Sequence, residues 1–334
     1  MGRYVVRRVL QGILTLFLAV LLLHLLTTLA IQVNGNPARA FFGDHLPSAA
    51  QLAAVEKRYG LDDPCFDQTG NPCVKPFVHR LGDYFRGDFG TDLHDRSVTD
   101  IVSTAAPNTL RLFLVVTVTW FVVGMLLGSV AARYRGKVTD GGIRGLSILI
   151  DALPVFVIML VWKYIVTVPV YTHLRDSLGS ESFWAILFKP SFDRTHPWAT
   201  VIMPGVLLGL AGSASFIRLV RAAQLENYGA DHVRTARAKG LAERHVIIHH
   251  IVRNSAIPVV TAVGFVFTDA LGGAVVTEGV MNIYGMGGTL WRAVQTNDVG
   301  VIMGVVTLLT VLTVTVMLLV DLLYAALDPR IRFD

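Results

Sequence analysis

The chain has 334 residues, 53% of them apolar and only 16% charged, with a mean hydropathy of +0.56. Soluble domains carry about a quarter charged residues, so this composition excludes an ordinary soluble enzyme or binding module and makes the membrane the default class. The net charge of +5 would raise nucleic-acid binding in a soluble protein, but here the basic residues flank apolar runs, and topology accounts for them without nucleic acid.

Crossing a hydrocarbon core about 30 Å thick takes about 20 apolar helical residues. Six segments qualify: Val9–Ile31, Leu110–Ala132, Leu146–Val168, Val201–Leu225, Ala256–Thr277 and Val301–Leu327. The first follows Arg3, Arg7 and Arg8 and reads as an uncleaved helix, too long for a secretory signal and without a convincing cleavage site. His24 within it reads as a hydrogen-bonded packing residue rather than a proton carrier. The fourth is diluted by Gly205, Gly209, Gly212, Ser213 and Ser215, the small residues that closely packed membrane helices use.

Basic residues cluster at Arg133, Arg135, Lys137 and Arg144, and again from Arg218 to Arg253, which places these connections in the cytoplasm by the positive-inside rule. The expected fold is an all-α integral membrane protein with six transmembrane helices and both termini cytoplasmic. Residues 1–334 form a single membrane domain, with lipid as its surroundings.

The segment 32–107 between the first two spans holds more acids than bases and is too long for a turn, so it is expected to fold as a helical extracytoplasmic cap. Leu46–Gly60 has helical spacing, with Leu52, Val55 and Tyr59 on one face, and Pro76–Phe85 is a second candidate. Cys65 and Cys73 are the only cysteines. A disulfide is the natural reading and would restrict the unfolded loop by about 2.5 kcal/mol. Two free thiols, or a metal held with His79, are the other readings the residues allow.

No Gly-x-x-x-x-Gly-Lys-Ser/Thr motif occurs, nor a Gly-x-Ser-x-Gly elbow or a His-Glu-x-x-His metal motif. The expectation is a chain with no catalytic residues, no cofactor and no metal of its own. The informative cytoplasmic stretch is 229–253. Asp231 can cap a short helix, Arg237 and Lys239 suit its negative end, and Gly240 can stop it in the left-handed conformation. Two turns are not stable alone in water, so such a helix needs a partner's groove. Val233, Ala236 and Gly240 fall on one side, with Arg234, Arg237 and Lys239 around the others. A solvated basic loop is the alternative.

At this stretch the chain resembles the permeases of ATP-binding-cassette importers. Arg234, Thr235, Ala236, Arg237, Ala238, Lys239 and Gly240 match the Arg-Thr-Ala-Arg-Ala-Lys-Gly of the oligopeptide, dipeptide and nickel branch, most like the B-type permease subunit of oligopeptide importers. RYVVRRVLQ at Arg3–Gln11, RYGLDDP at Arg58–Pro64, GDYFRGDFGTDL at Gly82–Leu93, TEGVMNIYGMGG at Thr277–Gly288 and DLLYAALDPRIR at Asp321–Arg332 are similar to the branch in order along the chain. Arg234 and Thr235 depart from the broader Glu-Ala-Ala signature, and the cysteine hairpin is inserted where most relatives run straight on.

The resemblance implies a type I importer permease in a bacterial inner membrane, paired with a second homologous permease. Beneath them sit two ATPase domains that use ATP and Mg, and an extracytoplasmic binding protein delivers a peptide substrate. It also implies that Asp231–Gly240 is the coupling helix. A nickel or other small-solute importer, an ion-coupled secondary transporter and a non-transporting receptor are the rival readings.

Acids in or near the spans are costly and usually face protein or water. Asp269 with Thr268, together with Asp151 and Glu278, are the candidates for the translocation path, with a buried arginine partner as the alternative for Asp269. Glu278–Asn297, with Tyr284, Met286 and Trp291, reads as short helices at the outer mouth, lining it or simply packed there.

Overall fold

A computed structural model describes residues 2–35, 38, 42, 47–58, 60–255, 259 and 272–327. Among them every regular element is helical, and the single extended pairing is an isolated antiparallel bridge between Thr91 and Ser97. The helices are α1 (Gly2–Asn34), α2 (Ala49–Arg58), α3 (Val74–Phe85), α4 (Val98–Arg133), α5 (Val138–Asp151), α6 (Val155–Trp162), α7 (Val168–Leu178) and α8 (Phe183–Leu187). They continue with α9 (Pro197–Tyr228), α10 (Asp231–Ala238), α11 (Glu243–Val246), α12 (272–280), α13 (Met286–Gln295) and α14 (Val299–Leu327). A π-helical turn, Lys163–Thr167, joins α6 to α7, and a second, Ile247–Val252, extends α11.

Five helical stretches among the described residues are long and apolar enough to cross a membrane: Val5–Asn34, Val98–Arg133, Val155–Leu178, Pro197–Tyr228 and Val299–Asp321. The segment expected at Ala256–Thr277 falls largely outside the described residues, which resume within it at 272. The third span corrects the expectation of one helix over 146–168. α5 ends at Asp151 and α6 begins at Val155, with Pro154 extended between them (ψ 134°). Proline offers no N–H to the helical ladder and its ring disfavours a helical residue before it, so an apolar run that hydropathy reads as continuous is cut in two. The spanning helix starts later and continues to Leu178. α4 in turn starts well before Leu110 and carries Pro107 inside it.

The chain divides into two compact units. The first comprises Met1–Pro107 and Tyr284–Leu318. In it the cap closes over a small core of Ile31, Ala38, Leu61, Cys65, Phe66 and Cys73, with Leu52 and Val55 packed against them. Cys65 and Cys73 are joined by a disulfide. His24, Thr28 and Gln32 lie at i, i+4 and i+8 on α1, a polar stripe on one face of a membrane helix. Gln32 Nε2 donates to the carbonyls of Cys65 (3.0 Å) and Asn71 (2.8 Å), while its Oε1 accepts from Gly70 N–H (2.9 Å). His24 Nε2 lies 3.1 Å from the Cys73 carbonyl and 3.2 Å from that of Pro72, and the Arg80 guanidinium lies 3.3 Å from Nδ1. Carbonyls at Nε2 require a donor there, and a guanidinium at Nδ1 requires an acceptor, which assigns the Nε2–H tautomer.

The buried His24 is thus a packing residue that grips the disulfide hairpin. A Cys65→Ser/Cys73→Ser protein is expected to lose about 2.5 kcal/mol of cap stability. The measurement is limited proteolysis of the segment 47–85; unchanged cleavage would remove the stabilising role.

The second unit comprises Asn108–Ile283 and Leu319–Asp334. Its backbone is the pair α4 and α9, fitted together through glycines. A side chain at Gly205 or Gly209 of α9 would run into Val115 (2.6 Å) or Thr119 (2.7 Å) of α4. Farther along the pair the roles reverse: Gly124 and Gly128 of α4 leave room for Phe216 and Val220 of α9. Trp120 stacks on Phe216 at 3.8 Å between ring centroids and donates from Nε1 to the Gly212 carbonyl at 2.7 Å. Small residues thus let the backbones approach where hydrophobic burial alone gives little drive between membrane helices.

Candidate functional site

α10 follows α9 after a tight turn. Its N-cap is Ala230, extended at φ −72° and ψ 148° and offering no side-chain bond, so Asp231 is the first helical residue rather than the cap expected from the sequence. Its charge still complements the positive end of the helix. Arg237 stands in the last turn, Lys239 is the C-cap, and Gly240 has φ +76°, the left-handed conformation that a glycine adopts without strain.

The two sides of α10 are sharply different. Val233 and Ala236 are buried against Val246 and Ile251, with Tyr228 and Ile247 alongside, all from this same chain. That corrects the expectation that these apolar residues are the footprint for a partner: the returning loop already supplies their groove, which is also what keeps so short a helix folded. Gly240 is exposed rather than part of that face. Asp231, Arg234, Thr235 and Ala238, at i, i+3, i+4 and i+7, are exposed, and Lys239 extends the row.

Arg237 ties the helix back to its surroundings. It donates twice to Glu243, from Nε at 3.1 Å and from an Nη at 2.7 Å, and its guanidinium lies 5.9 Å from the Tyr228 ring centroid at the end of α9. This fork holds the Glu243 carboxyl below the usual range and raises Arg237. Among the described residues no group of three His, Cys, Asp or Glu side chains is placed to hold an ion.

The C-terminal half of α9 is fastened in turn to α5. Arg221 makes a bidentate contact with Asp140, at 2.7 and 2.8 Å, and Gly136 N–H adds a third bond at 3.0 Å. Asp140 is 2% exposed, and the Arg221 hydrogen bond brings its carboxyl down to about 2. Arg218 pairs with Asp151, the last residue of α5, across a more open surface. Gln224 donates to Ser129 (2.7 Å) and Asn227 to Ser255 (3.2 Å), so the neighbouring helix ends are joined to α9 as well. None of these pairings was visible in the sequence, where Asp140 and Arg221 are far apart and each fits the general pattern of a charged membrane edge.

Of the four path candidates, Asp151 and Glu278 are among the described residues. Thr268 and Asp269 lie outside the described residues. Asp151 is engaged by Arg218 at the end of α5, which gives it a structural partner in this conformation. Glu278 is fully buried in α12, next to Thr277, whose hydroxyl is buried without a hydrogen-bond partner. Lys163, in the π-helical turn of the third span, donates from Nζ to the Val280 carbonyl at 2.6 Å, a tie between α12 and the preceding helices that spacing does not reveal. Within Glu278–Asn297, Met286–Gln295 forms α13, where Trp291 is exposed and Arg292 lies over Tyr284 at 5.1 Å from the ring centroid.

The family described as binding-protein-dependent transport system inner membrane component matches residues 124–333, more than half of the chain. The glutathione transport system permease protein GsiC of Shigella flexneri is 32% identical over 339 residues, and that of Escherichia coli 31% identical over 334 residues. A probable peptide ABC transporter permease protein of Sinorhizobium fredii is 30% identical over 344 residues. In each case 100% of both chains is covered. The chain belongs to the family of inner membrane permease components of binding-protein-dependent transport systems.

Proposed function

We propose that this chain forms half of the translocation pathway of an ATP-driven importer for small peptides, glutathione among them. The observation that carries the reading is α10, a two-turn helix whose apolar side is satisfied within the chain and whose Asp231, Arg234, Thr235, Ala238 and Lys239 are left exposed as a compact polar face. A face of this kind suits a cleft on an ATPase subunit. Its tethering to α9 provides a route by which closure of that subunit moves the membrane helices as rigid bodies. The peptide class follows from the names of the relatives, whose chains match this one from end to end.

In this reading the chain spans the membrane six times with both termini in the cytoplasm and pairs with a second permease. Two ATPase domains bind and hydrolyse ATP with Mg, and a binding protein docks outside. Segment 229–253 is the coupling region and Asp231–Gly240 the coupling helix. Thr268, Asp269, Glu278 and Asp151 remain the path candidates.

The test is reconstitution of the assembled complex in vesicles, with ATP hydrolysis and uptake measured against glutathione, dipeptides, longer peptides and nickel. Stimulation by glutathione or a short peptide is expected. Stimulation by nickel alone would reassign the cargo, and transport by this chain without an ATPase would overturn the reading.

A further inference from the structure

Accepting α10 as the surface that meets the ATPase, there is a question of how far into the membrane domain its movement is carried without loss. The fastening of α9 to α5 answers it. Asp140 sits in the first turn of α5 and Asp151 at its end, roughly 16 Å apart along the helix. Arg221 and Arg218, one turn apart on α9, reach toward opposite ends of α5 to pair with them.

The two contacts differ in kind. At Asp140 the carboxylate is enclosed and takes two guanidinium bonds and one backbone N–H. Planar, bidentate geometry of this sort fixes direction as well as distance. At Asp151 both partners are about two-fifths exposed and share a single contact. Immediately beyond Asp151 the helical ladder is interrupted: Ala152 and Leu153 bond back into α5, and Val157 and Ile158 bond to the Pro154 carbonyl, where the next helix begins.

We propose that Asp140 and Arg221 are positioning residues that make α5 and the cytoplasmic half of α9 one lever, which carries the displacement of α10 as far as the elbow at Ala152–Pro154. The Arg221 fork holds the two helices in fixed orientation, and the Arg218–Asp151 pair steadies the lever where it ends. This goes beyond the coupling role of α10, because it assigns the rigid element behind that helix and the point at which the chain yields.

The test uses the assembled transporter in nanodiscs. Native Cys65 and Cys73 are bonded to each other and do not take label. One label pair is placed at Gly145→Cys, where space is open, and Glu226→Cys, which is exposed, so that it bridges α5 and α9. A second, at Gly145→Cys and Tyr164→Cys, bridges the elbow; Tyr164 is exposed. Between the nucleotide-free and ATP-bound states the 145–226 distance is expected to stay constant while the 145–164 distance changes.

In an Asp140→Asn complex the 145–226 distribution is expected to broaden and substrate moved per ATP to fall at least fivefold, with recovery in the Asp140→Arg/Arg221→Asp double variant. A 145–226 distance that changes with nucleotide overturns the lever, and so does an Asp140→Asn complex with unchanged transport per ATP. If Asp140→Asn fails to assemble, the two distances in the otherwise native chain still decide. A complex in which neither distance responds to ATP overturns the coupling reading of α10 together with the lever.

Discussion

Replacing Gly209 by leucine is expected to destabilise the second unit by about 3 kcal/mol or more, the upper range for overpacking a closed contact. Even the first added carbon would lie 2.7 Å from Thr119 and 2.8 Å from the Val116 carbonyl, and the second of these is backbone, which cannot rotate away. Relief requires α4 and α9 to separate, which also breaks the Trp120 bond to the Gly212 carbonyl and the stack of Trp120 on Phe216.

The informative comparison is Gly141→Ala, on α5, where an added carbon meets nothing within 4 Å. That change is expected to be neutral or to stabilise by up to about 1 kcal/mol, the difference in helix propensity. Thermal unfolding of the purified subunit in detergent, followed by tryptophan fluorescence, reads both. Equal midpoints for the two variants would show that glycine at 209 is not demanded by packing.

Ala238→Trp is expected to abolish coupled transport, by at least tenfold and about 1.4 kcal/mol of docking free energy, while leaving the subunit folded. Ala238 is exposed on the outward side of α10, so the indole has room in the isolated chain and none against a fitted partner surface. Val233→Ala acts from the other side, opening a gap against Val246 and Ile251 that loosens the helix without touching its outward face. Retention of the ATPase subunits during purification separates the two mechanisms. Ala238→Trp should lose them at native thermal stability, whereas Val233→Ala should lower stability first. An Ala238→Trp complex that keeps its ATPase and transports normally would exclude this face as the docking surface.

What the sequence made legible follows from what is local. Long apolar runs identify spanning helices because a bilayer constrains every residue of them alike, and the stop at Gly240 is readable because one backbone conformation favours one residue type. The apolar spacing of Val233 and Ala236 correctly marked a buried side, but spacing cannot say who buries it. The answer lay in Val246 and Ile251, brought round by a π-helical turn that has no period of its own in the sequence.

Asp231 was placed as a cap because its residue type favours that role, whereas the turn after Tyr228 puts Ala230 there instead. The break before α6 was signalled by Pro154 and overridden by the hydropathy around it. Least legible were the pairings of Arg221 with Asp140 and of Gln32 with the cysteine hairpin, since they depend on which helix faces which.

The alternating glycines of α4 and α9 also decide how these helices are able to move. Axial sliding would carry Val115 and Thr119 off Gly205 and Gly209, and at the same time drive Phe216 and Val220 of α9 out of the recesses at Gly124 and Gly128. Each helix acts as both key and lock for the other, so displacement in either direction meets backbone. Shear between the two is therefore closed as a route for conformational change, and the pair is left with rotation as a single piece about its connecting segments.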